Sequence, residues 1–325
     1  MNRSPATSAA TSADVSADVS AVRSEPLTGD ELLRFYSDGY LRLGRVIDND
    51  TIDRLKGVIA ARRNVANAEM DLLDPQIWPE AEGGVPQEPG RNVSFLFNLW
   101  REVPEYRQLV MDARFGGWAA QVLGATAVRV LEDNALTKDP RSGGELRWHQ
   151  DYAYWPLGQP NAVTIWIALD DVTADNGAVR MASGSQVLGE RLPAVFGTGA
   201  TYFRDRRPAA VRPIGEPEDE GLRVDLMELS AGEATMHHAL TWHASGPNVT
   251  DRPRRAAVAR YVAEGTTWFG AARYEFNYTD EEVGLTVGDR IGGPYFPLVP
   301  TETPGRGRQC SGSTAAGCSH VRTGR

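Results

Sequence analysis

The chain has 325 residues, 41% of them hydrophobic and 24% charged, and a formal net charge of −9. These values are typical of a globular protein with one or two domains, and they give no support for nucleic-acid binding, which needs a basic surface. No run is apolar enough for a membrane span and no hydrophobic signal segment opens the chain, so we expect a cytoplasmic protein without a nucleic-acid or membrane partner.

Polar, low-complexity sequence occurs at both ends. Residues 1–25 carry the loose repeat TSADVSADVS, and residues 303–325 are rich in Gly, Ser, Thr and Arg. Neither segment can bury enough apolar surface to offset its ordering entropy, so both are predicted to be disordered. The C-terminal segment also holds the two cysteines, Cys310 and Cys318, which form neither a disulfide framework nor a zinc pattern. We therefore expect a single domain over residues 26–302.

The first part of this domain has helical patterns. Thr28 followed by Glu31 fits a capping box and predicts a helix start, and the alternating residues 39–47 predict a strand. Further helices are predicted over 50–63 and 104–123. The Pro- and Gly-rich residues 72–92 between them are interpreted as a long loop that serves as a lid.

From Ala127 onward the pattern changes to short β-like runs. Examples are VRVLEDNALTK, AVTIWIALDD, GAVRMA, RVDLMEL, EATMHHALTWHA and RRAAVARYVA, separated by Gly, Pro, Asn and Asp. Several short strands with turn residues between them indicate an all-β sandwich or barrel core, here preceded by helices. No phosphate-binding loop, nucleophile elbow or dinucleotide fingerprint is present.

Three residues have the types and spacing of a metal site. His149 and Asp151 stand two apart in RWHQDYAYWP, so on a strand their side chains share one face, and His243 follows about ninety residues later in TWHASGPN. Two histidines and one carboxylate form the facial triad of non-haem Fe(II) oxygenases, which leaves positions open for a bidentate co-substrate and dioxygen. A His-x-Asp pair alone is common by chance, so the third histidine and its context matter.

A single arginine strengthens this interpretation. Arg254 lies eleven residues beyond His243, after the turn-forming stretch ASGPNVTDRP, and a sharp turn would bring it back beside the metal. A planar guanidinium binds a carboxylate through two hydrogen bonds, as the distal carboxylate of 2-oxoglutarate requires. The neighbouring Arg252 and Arg255 are interpreted as solvated charges.

The motifs together resemble the phytanoyl-CoA dioxygenase family of Fe(II)/2-oxoglutarate oxygenases. The resemblance rests on WHQD, NAVTIWIALDDVTADNGAVRMASGSQ and HASGPNVTDRPRRAAVARY, and extends from about residue 27 to 262. It implies a mainly β fold with flanking helices, built on a double-stranded β-helix (a jelly-roll, cupin-like core). It also implies His149, Asp151 and His243 as iron ligands and Arg254 as the anchor of the 2-oxoglutarate carboxylate.

The resemblance extends to further pocket positions. Ser245 matches a residue that donates a hydroxyl hydrogen bond to the same carboxylate. Trp166 matches an aromatic that packs near the co-substrate, although plain core packing explains it equally well. Asn134 and Lys138 match polar pocket positions. Lys138 stands out because lysine otherwise occurs only at position 56, but a structural role would explain it too. The adjacent histidines 237 and 238 are interpreted as supporting or packing residues.

Hydroxylation of a small-molecule metabolite, in natural-product or secondary metabolism, is the expected activity. Because Asp151 keeps the carboxylate that halogenating relatives lack, halogenation is not expected. Tyr152, Tyr154 and Trp155 directly follow the metal motif and are predicted to face the substrate, or else to belong to the core. Two alternatives stay open: a cupin-like metalloenzyme that does not use 2-oxoglutarate, and a non-catalytic binding protein on the same scaffold. Arg254 distinguishes the expected enzyme from the cupin-like metalloenzyme, since only an enzyme that uses 2-oxoglutarate requires this arginine.

Overall fold

The computed structural model describes residues 21–69, 93–142, 144–191, 212–270 and 278–301, with the side chains of 64–69 left out. The predicted lid over 72–92 and most of the two terminal segments lie outside these residues. The helices are α1 (Gly29–Asp38), α2 (Asn49–Glu69), α3 (Pro104–Val110), α4 (Ala113–Leu123) and α5 (Asp280–Val283). The strands are β1 (Tyr40–Arg45), β2 (Val93–Phe97), β3 (Val128–Lys138), β4 (Leu146–His149), β5 (Ala162–Ala168), β6 (Val179–Ala182), β7 (Val224–Met227), β8 (Glu233–His238), β9 (His243–Ser245) and β10 (Arg254–Ala263).

Helix α1 begins as the sequence predicts. The Thr28 side chain accepts a hydrogen bond from the Glu31 backbone, and the Glu31 carboxylate accepts one from the Thr28 backbone, which completes the capping box. Gly39 ends the helix with a φ of 83°, and the chain passes directly into β1 within the predicted strand. Residues 21–25, at the end of the N-terminal segment predicted to be disordered, are described, and Arg23 pairs with Glu31 at 2.6 Å.

The single helix predicted over 104–123 is wrong, because two helices occupy this stretch. Helix α3 ends at Val110, and Asp112 then caps a second helix, α4, by accepting a hydrogen bond from the Arg114 backbone. The aspartate competes for local backbone donors and so favours a new helix start over continuation of the first helix. Helix α2, by contrast, covers all of its predicted span.

Two antiparallel sheets form the body of the described structure. The larger sheet has the strand order β1-β8-β5-β10-β3-β2, and the smaller one β4-β9-β6-β7. From β3 to β10, each connection except the one between β6 and β7 passes to the other sheet, as in a double-stranded β-helix. The run EATMHHALTWHA, one β-like segment in the sequence, is divided by a turn: β8 joins the larger sheet and β9 the smaller. His243 therefore starts a strand facing the other sheet.

The faces of the larger sheet have different tasks. One face packs on α1, α2, α3 and α4 in the main apolar cluster, which includes Ile165, Ile167 and Ala257. The alternate residues of the same strands, such as Trp166 and Val258, face the smaller sheet and pack with its Met181. Side chains of the inner face are therefore the ones that can reach a site between the sheets. No helix in the described ranges combines the length and the apolar character needed to cross a bilayer.

Candidate metal and co-substrate site

The three predicted metal ligands meet at one edge of the smaller sheet. His149 ends β4 and pairs across the ladder with His243, the first residue of β9. Asp151 follows in a 3₁₀ turn, Asp151–Tyr154, rather than on the strand as predicted from the spacing. Ligand atoms of the three side chains lie within 4.8 Å of one another, close enough to hold one metal ion.

Backbone carbonyls orient both imidazoles. The Nδ1 atom of His149 lies 2.7 Å from the carbonyl of Arg147, and Nδ1 of His243 lies 3.0 Å from the carbonyl of Thr241. A carbonyl can only accept, so Nδ1 carries the proton in each ring and Nε2 keeps its lone pair. This is the usual way in which a supporting contact fixes the tautomer of a histidine ligand.

The electrostatics of the cluster favour its metal-binding protonation state. Burial, followed by the neighbouring His243, lowers the pKa of His149 to about 3, and burial together with His237 lowers the pKa of His243 to about 4. Burial alone would raise the pKa of Asp151, but the Arg260 guanidinium and the imidazoles of His243 and His237 hold it well below its usual range. At neutral pH the imidazoles of His149 and His243 are therefore neutral and Asp151 is ionised, as binding of a divalent cation requires.

Two residues beside Asp151 were not identified from the sequence as its neighbours. His237 Nε2 lies 3.3 Å and Arg260 Nε 3.6 Å from Asp151 Oδ2. His237 is thus the supporting histidine of the adjacent pair, whereas His238 accepts a hydrogen bond from the Leu240 backbone. Strand alternation could have singled out Arg260, because it lies six residues after Arg254 and on the same face of β10.

A group of buried polar atoms between the sheets has no internal partner. Ser245 Oγ, Arg254 Nη1 and both amide atoms of Asn134 are buried and make no hydrogen bond to any described residue. Buried polar atoms are nearly always paired, so donors left unpaired beside a cationic group fit an anionic ligand such as a carboxylate. The donor set of three nitrogen and oxygen ligands next to it suits Fe(II).

Arg254 is held by the turn before β6 and by an aromatic ring. Its Nη2 donates to the carbonyl of Gly177 at 2.8 Å, and its guanidinium carbon lies 5.3 Å from the ring centre of Trp166. Gly177 has a φ of 86°, and a Cβ there would stand 2.6 Å from the carbonyl oxygen of Gly246. The glycine thus allows the close approach that seats the arginine.

The ammonium group of Lys138 is hydrogen-bonded to backbone carbonyls. Its Nζ donates to the carbonyls of Gly144, Ser245 and Gly246, and burial lowers its pKa to about 7. These contacts tie the chain after β3 to the chain after β9. The two remaining arginines of the cluster differ, since Arg252 is exposed and Arg255 is partly buried and pairs with Asp170 at 2.8 Å. The interpretation of Arg255 as a solvated charge is therefore wrong.

The three aromatic residues after the metal motif occupy different surroundings. Tyr152 and Trp155 are buried, with the Tyr152 hydroxyl donating to the Leu157 carbonyl and the Trp155 ring nitrogen donating to Glu132. The Tyr154 ring lies edge-on to His149, with ring centres 6.0 Å apart. Their assignment to the substrate stays a prediction.

The jelly-roll fold and this constellation define a non-haem dioxygenase that depends on Fe(II) and 2-oxoglutarate. The chain belongs to the phytanoyl-CoA dioxygenase (PhyH) family, whose model matches residues 35–256.

Two relatives are similar in sequence to this chain, and one solved structure has a similar fold. The ectoine dioxygenase of Streptomyces avermitilis is 25% identical over 244 residues, which cover 70% of this chain and 76% of that protein. The L-proline trans-4-hydroxylase of Streptomyces griseoviridis is 42% identical over 171 residues, 51% of this chain and 58% of that protein. The non-haem alpha-ketoglutarate-dependent carbocyclase SnoK from nogalamycin biosynthesis shares the fold, with a TM-score of 0.63 and 24% identity over 84% of this chain and 96% of that one.

Proposed function

We propose that this dioxygenase hydroxylates a small-molecule metabolite, with Fe(II) held by His149, Asp151 and His243. The far carboxylate of 2-oxoglutarate would be held by Arg254 and Ser245. The observation that carries the proposal is the presence of two features among the residues of the two sheets: a three-ligand cluster within 4.8 Å and buried donors without partners among the described residues.

Each protein group has a defined task in this proposal. Fe(II), 2-oxoglutarate and dioxygen would together supply the oxidising chemistry, with dioxygen as the oxidant and the source of the added oxygen atom, because no side chain can provide it. The two imidazoles and the carboxylate bind and orient the ion, while Arg254 and Ser245 fix the co-substrate in one direction. Asn134, whose amide is buried and unpaired, offers a further donor and acceptor to the ligand. Because Asp151 retains its carboxylate, hydroxylation is favoured over halogenation.

The substrate side of the proposal rests on the relatives and on one aromatic contact. The relatives are named for ectoine and L-proline, and the SnoK structure for nogalamycin biosynthesis, which supports a small substrate and a role in secondary metabolism. Tyr154, edge-on to His149, is the aromatic that we assign to the substrate wall. Tyr152 and Trp155 would brace that wall from behind. A cytoplasmic location is also part of the proposal.

The proposal is tested by anaerobic titration of the metal-free protein with Fe(II), with and without 2-oxoglutarate. The visible charge-transfer band of the Fe(II)–2-oxoglutarate chelate should appear only when both are present. His243→Ala should abolish the band, since two ligands remain. His238→Gln is the matched control, because His238 is a neighbouring half-buried histidine outside the cluster, and it should keep the band.

Two results would contradict the proposal. Metal binding without a 2-oxoglutarate signal would favour the cupin-like metalloenzyme, and a band that survives His243→Ala would disprove the ligand assignment. With the band established, succinate release in the presence of candidate metabolites identifies the substrate, and mass spectrometry of the product shows whether one oxygen atom has been added.

A further inference from the structure

Four polar side chains form a row across the inner face of the larger sheet. Register places Arg260 of β10 opposite Glu132 of β3 and Thr164 of β5, and Thr164 opposite His237 of β8. We call these residues the inner polar row. Glu132, Thr164 and His237 are each no more than 4% exposed, and the Arg260 side chain is 13% exposed. Buried polar residues on neighbouring strands need a shared partner.

Three of the four residues approach one oxygen of Asp151: Thr164 and His237 by hydrogen bonds, and Arg260 at ion-pair distance without a hydrogen bond from its Nε. Thr164 Oγ1 donates to Asp151 Oδ2 at 2.5 Å, His237 Nε2 lies 3.3 Å from the same oxygen, and Arg260 Nε lies 3.6 Å from it. The other oxygen, Oδ1, lies 3.6 Å from His243 Nε2 on the side of the proposed metal. The carboxylate thus has one oxygen held by the sheet and one directed at the cluster.

We infer that the inner polar row, with Arg260 as its central positioning residue, fixes Asp151 so that it binds the metal through Oδ1 alone. The inference rests on the proposed metal site and adds residues that act through Asp151. Groups that hold a ligand carboxylate determine its orientation and hence the affinity for the ion. A carboxylate restricted to one oxygen takes one coordination position and leaves another for the reactants.

Arg260 needs its own support, because a cation beside a metal site would repel the ion. Glu132 Oε1 lies 3.0 Å from Arg260 Nη1 and balances its charge. Trp155 donates to the same Glu132 oxygen at 3.2 Å, and its ring centre lies 5.8 Å from the guanidinium carbon. The Glu132–Arg260 pair therefore carries no net charge, although the nearby guanidinium still lowers the pKa of Asp151.

Because the Glu132–Arg260 pair is neutral, both of its members can be replaced together to test their effect on the orientation of Asp151. Arg260→Met combined with Glu132→Gln removes the pair without changing its net charge. We expect Fe(II) affinity, measured anaerobically by competition with a chelating dye, to fall about 10- to 100-fold. The absorption spectrum of the Co(II)-substituted protein should also change, because Asp151 can then rotate and bind through both oxygens. Arg260→Lys keeps the positive charge but loses the planar guanidinium, so its Fe(II) affinity should lie between those of the wild type and the double variant.

The matched control is Arg255→Met with Asp170→Asn. Arg255 lies on the same strand as Arg260 but is turned to the opposite face, where it contacts Asp170, a residue that follows β5, at 2.8 Å. Lys56 also pairs with Asp170, at 2.8 Å. The control variant should leave both the Fe(II) affinity and the Co(II) spectrum unchanged. If the Arg260→Met, Glu132→Gln protein does not fold, Arg260→Lys replaces it in the test, and its Co(II) absorption spectrum should also differ from that of the wild type.

The outcomes are separable. If the double variant binds Fe(II) within about twofold of the wild type with an unchanged Co(II) spectrum, while His243→Ala loses binding, the inference is wrong and the metal site stands. If Asp151→Ala and His243→Ala both bind Fe(II) normally, the proposed site is wrong and the inference fails with it.

Discussion

Two buried serine hydroxyls in the smaller-sheet region illustrate what a side chain does for folding and for binding. Ser185 Oγ donates to the Ala182 carbonyl at 2.7 Å and accepts from the Trp242 backbone at 2.8 Å. Ser245 Oγ is equally buried but has no partner within the described chain. The first hydroxyl is used by the fold, whereas the second is the one that we propose for the ligand.

Replacing Ser245 by alanine should therefore weaken co-substrate binding without weakening the fold. A hydrogen bond to a charged carboxylate is worth about 1.5–3 kcal/mol, so the Kd for 2-oxoglutarate should rise at least about tenfold. The thermal midpoint of the metal-free protein should stay the same or rise, because an unpaired buried hydroxyl is removed. Titration of the charge-transfer band and differential scanning calorimetry measure the two effects.

Ser185→Ala is the matched control and should behave in the opposite way. Its loss leaves the Trp242 amide unpaired, which should cost about 1–3 kcal/mol of stability, while 2-oxoglutarate affinity stays within about twofold of wild type. A Ser245→Ala protein that loses stability but not co-substrate affinity would contradict the assignment of this hydroxyl to the ligand.

At the scale of the elements, the seat of Arg254 depends on a turn that only glycine can form. Gly177→Ala would place a methyl group 2.6 Å from the Gly246 carbonyl oxygen and near Lys138, in a left-handed conformation. The segment that carries Ser245 would have to move. We expect a stability loss of more than about 2 kcal/mol, the upper cost of the left-handed conformation alone, together with weaker 2-oxoglutarate binding.

Gly265→Ala provides the comparison for this variant. Gly265 has a similar φ of 91°, but a Cβ there would meet no heavy atom within 4 Å. Replacing Gly265 by alanine should lower the free energy of unfolding only by the cost of the left-handed backbone conformation, about 1–2 kcal/mol. The Kd for 2-oxoglutarate should stay unchanged. Equal stability losses and equal Kd values for the two variants, measured by urea unfolding and band titration, would show that the contact at Gly177 is unimportant.

The elements also show how far the sequence could predict this molecule. The capping box at Thr28 and the alternating strand after it are local features, and both are present in the structure. The close approach of His149, Asp151 and His243 was predictable because few histidines exist and their motif has a family likeness. The family, the fold and the dependence on Fe(II) and 2-oxoglutarate are confirmed by the comparisons.

What the sequence could not supply depends on contacts between distant strands. Alternation along β10 could place Arg260 on the same face as Arg254, but its contact with Asp151 depends on the register of separate strands, which no local pattern encodes. The break at Asp112 and the turn that separates His238 from His243 were missed because apolar periodicity continues across both. Strand bounds within an apolar run are set by tertiary contacts rather than by propensity.

At the scale of the whole molecule, several buried ionisable groups link stability to pH. Burial lowers the pKa of His149 to about 3, and those of His238 and His243 to about 4, and it also lowers the pKa of His237. In the unfolded chain these histidines titrate near their ordinary value of about 6.5. Asp133 has the opposite effect on the pH dependence of stability, because burial raises its pKa to about 8. Burial lowers the pKa of Lys138 to about 7, so Lys138 affects the pH dependence only above about that pH.

The metal-free protein should therefore lose stability on acidification below about pH 6.5. Between about pH 4 and 6.5 the unfolded state binds more protons at the four histidines than the folded state does, because burial lowers the pKa of each in the folded protein, so stability rises with pH. Asp133 is protonated only in the folded state over this range, and one opposing group does not outweigh four. Urea unfolding of the metal-free protein from pH 4.5 to 8 should show a steep rise up to about pH 6.5 and little change above it. His238→Gln, which removes one of the four without touching the metal cluster, should reduce the slope, and a flat profile below pH 6.5 would mean that these histidines are protonated in the folded protein.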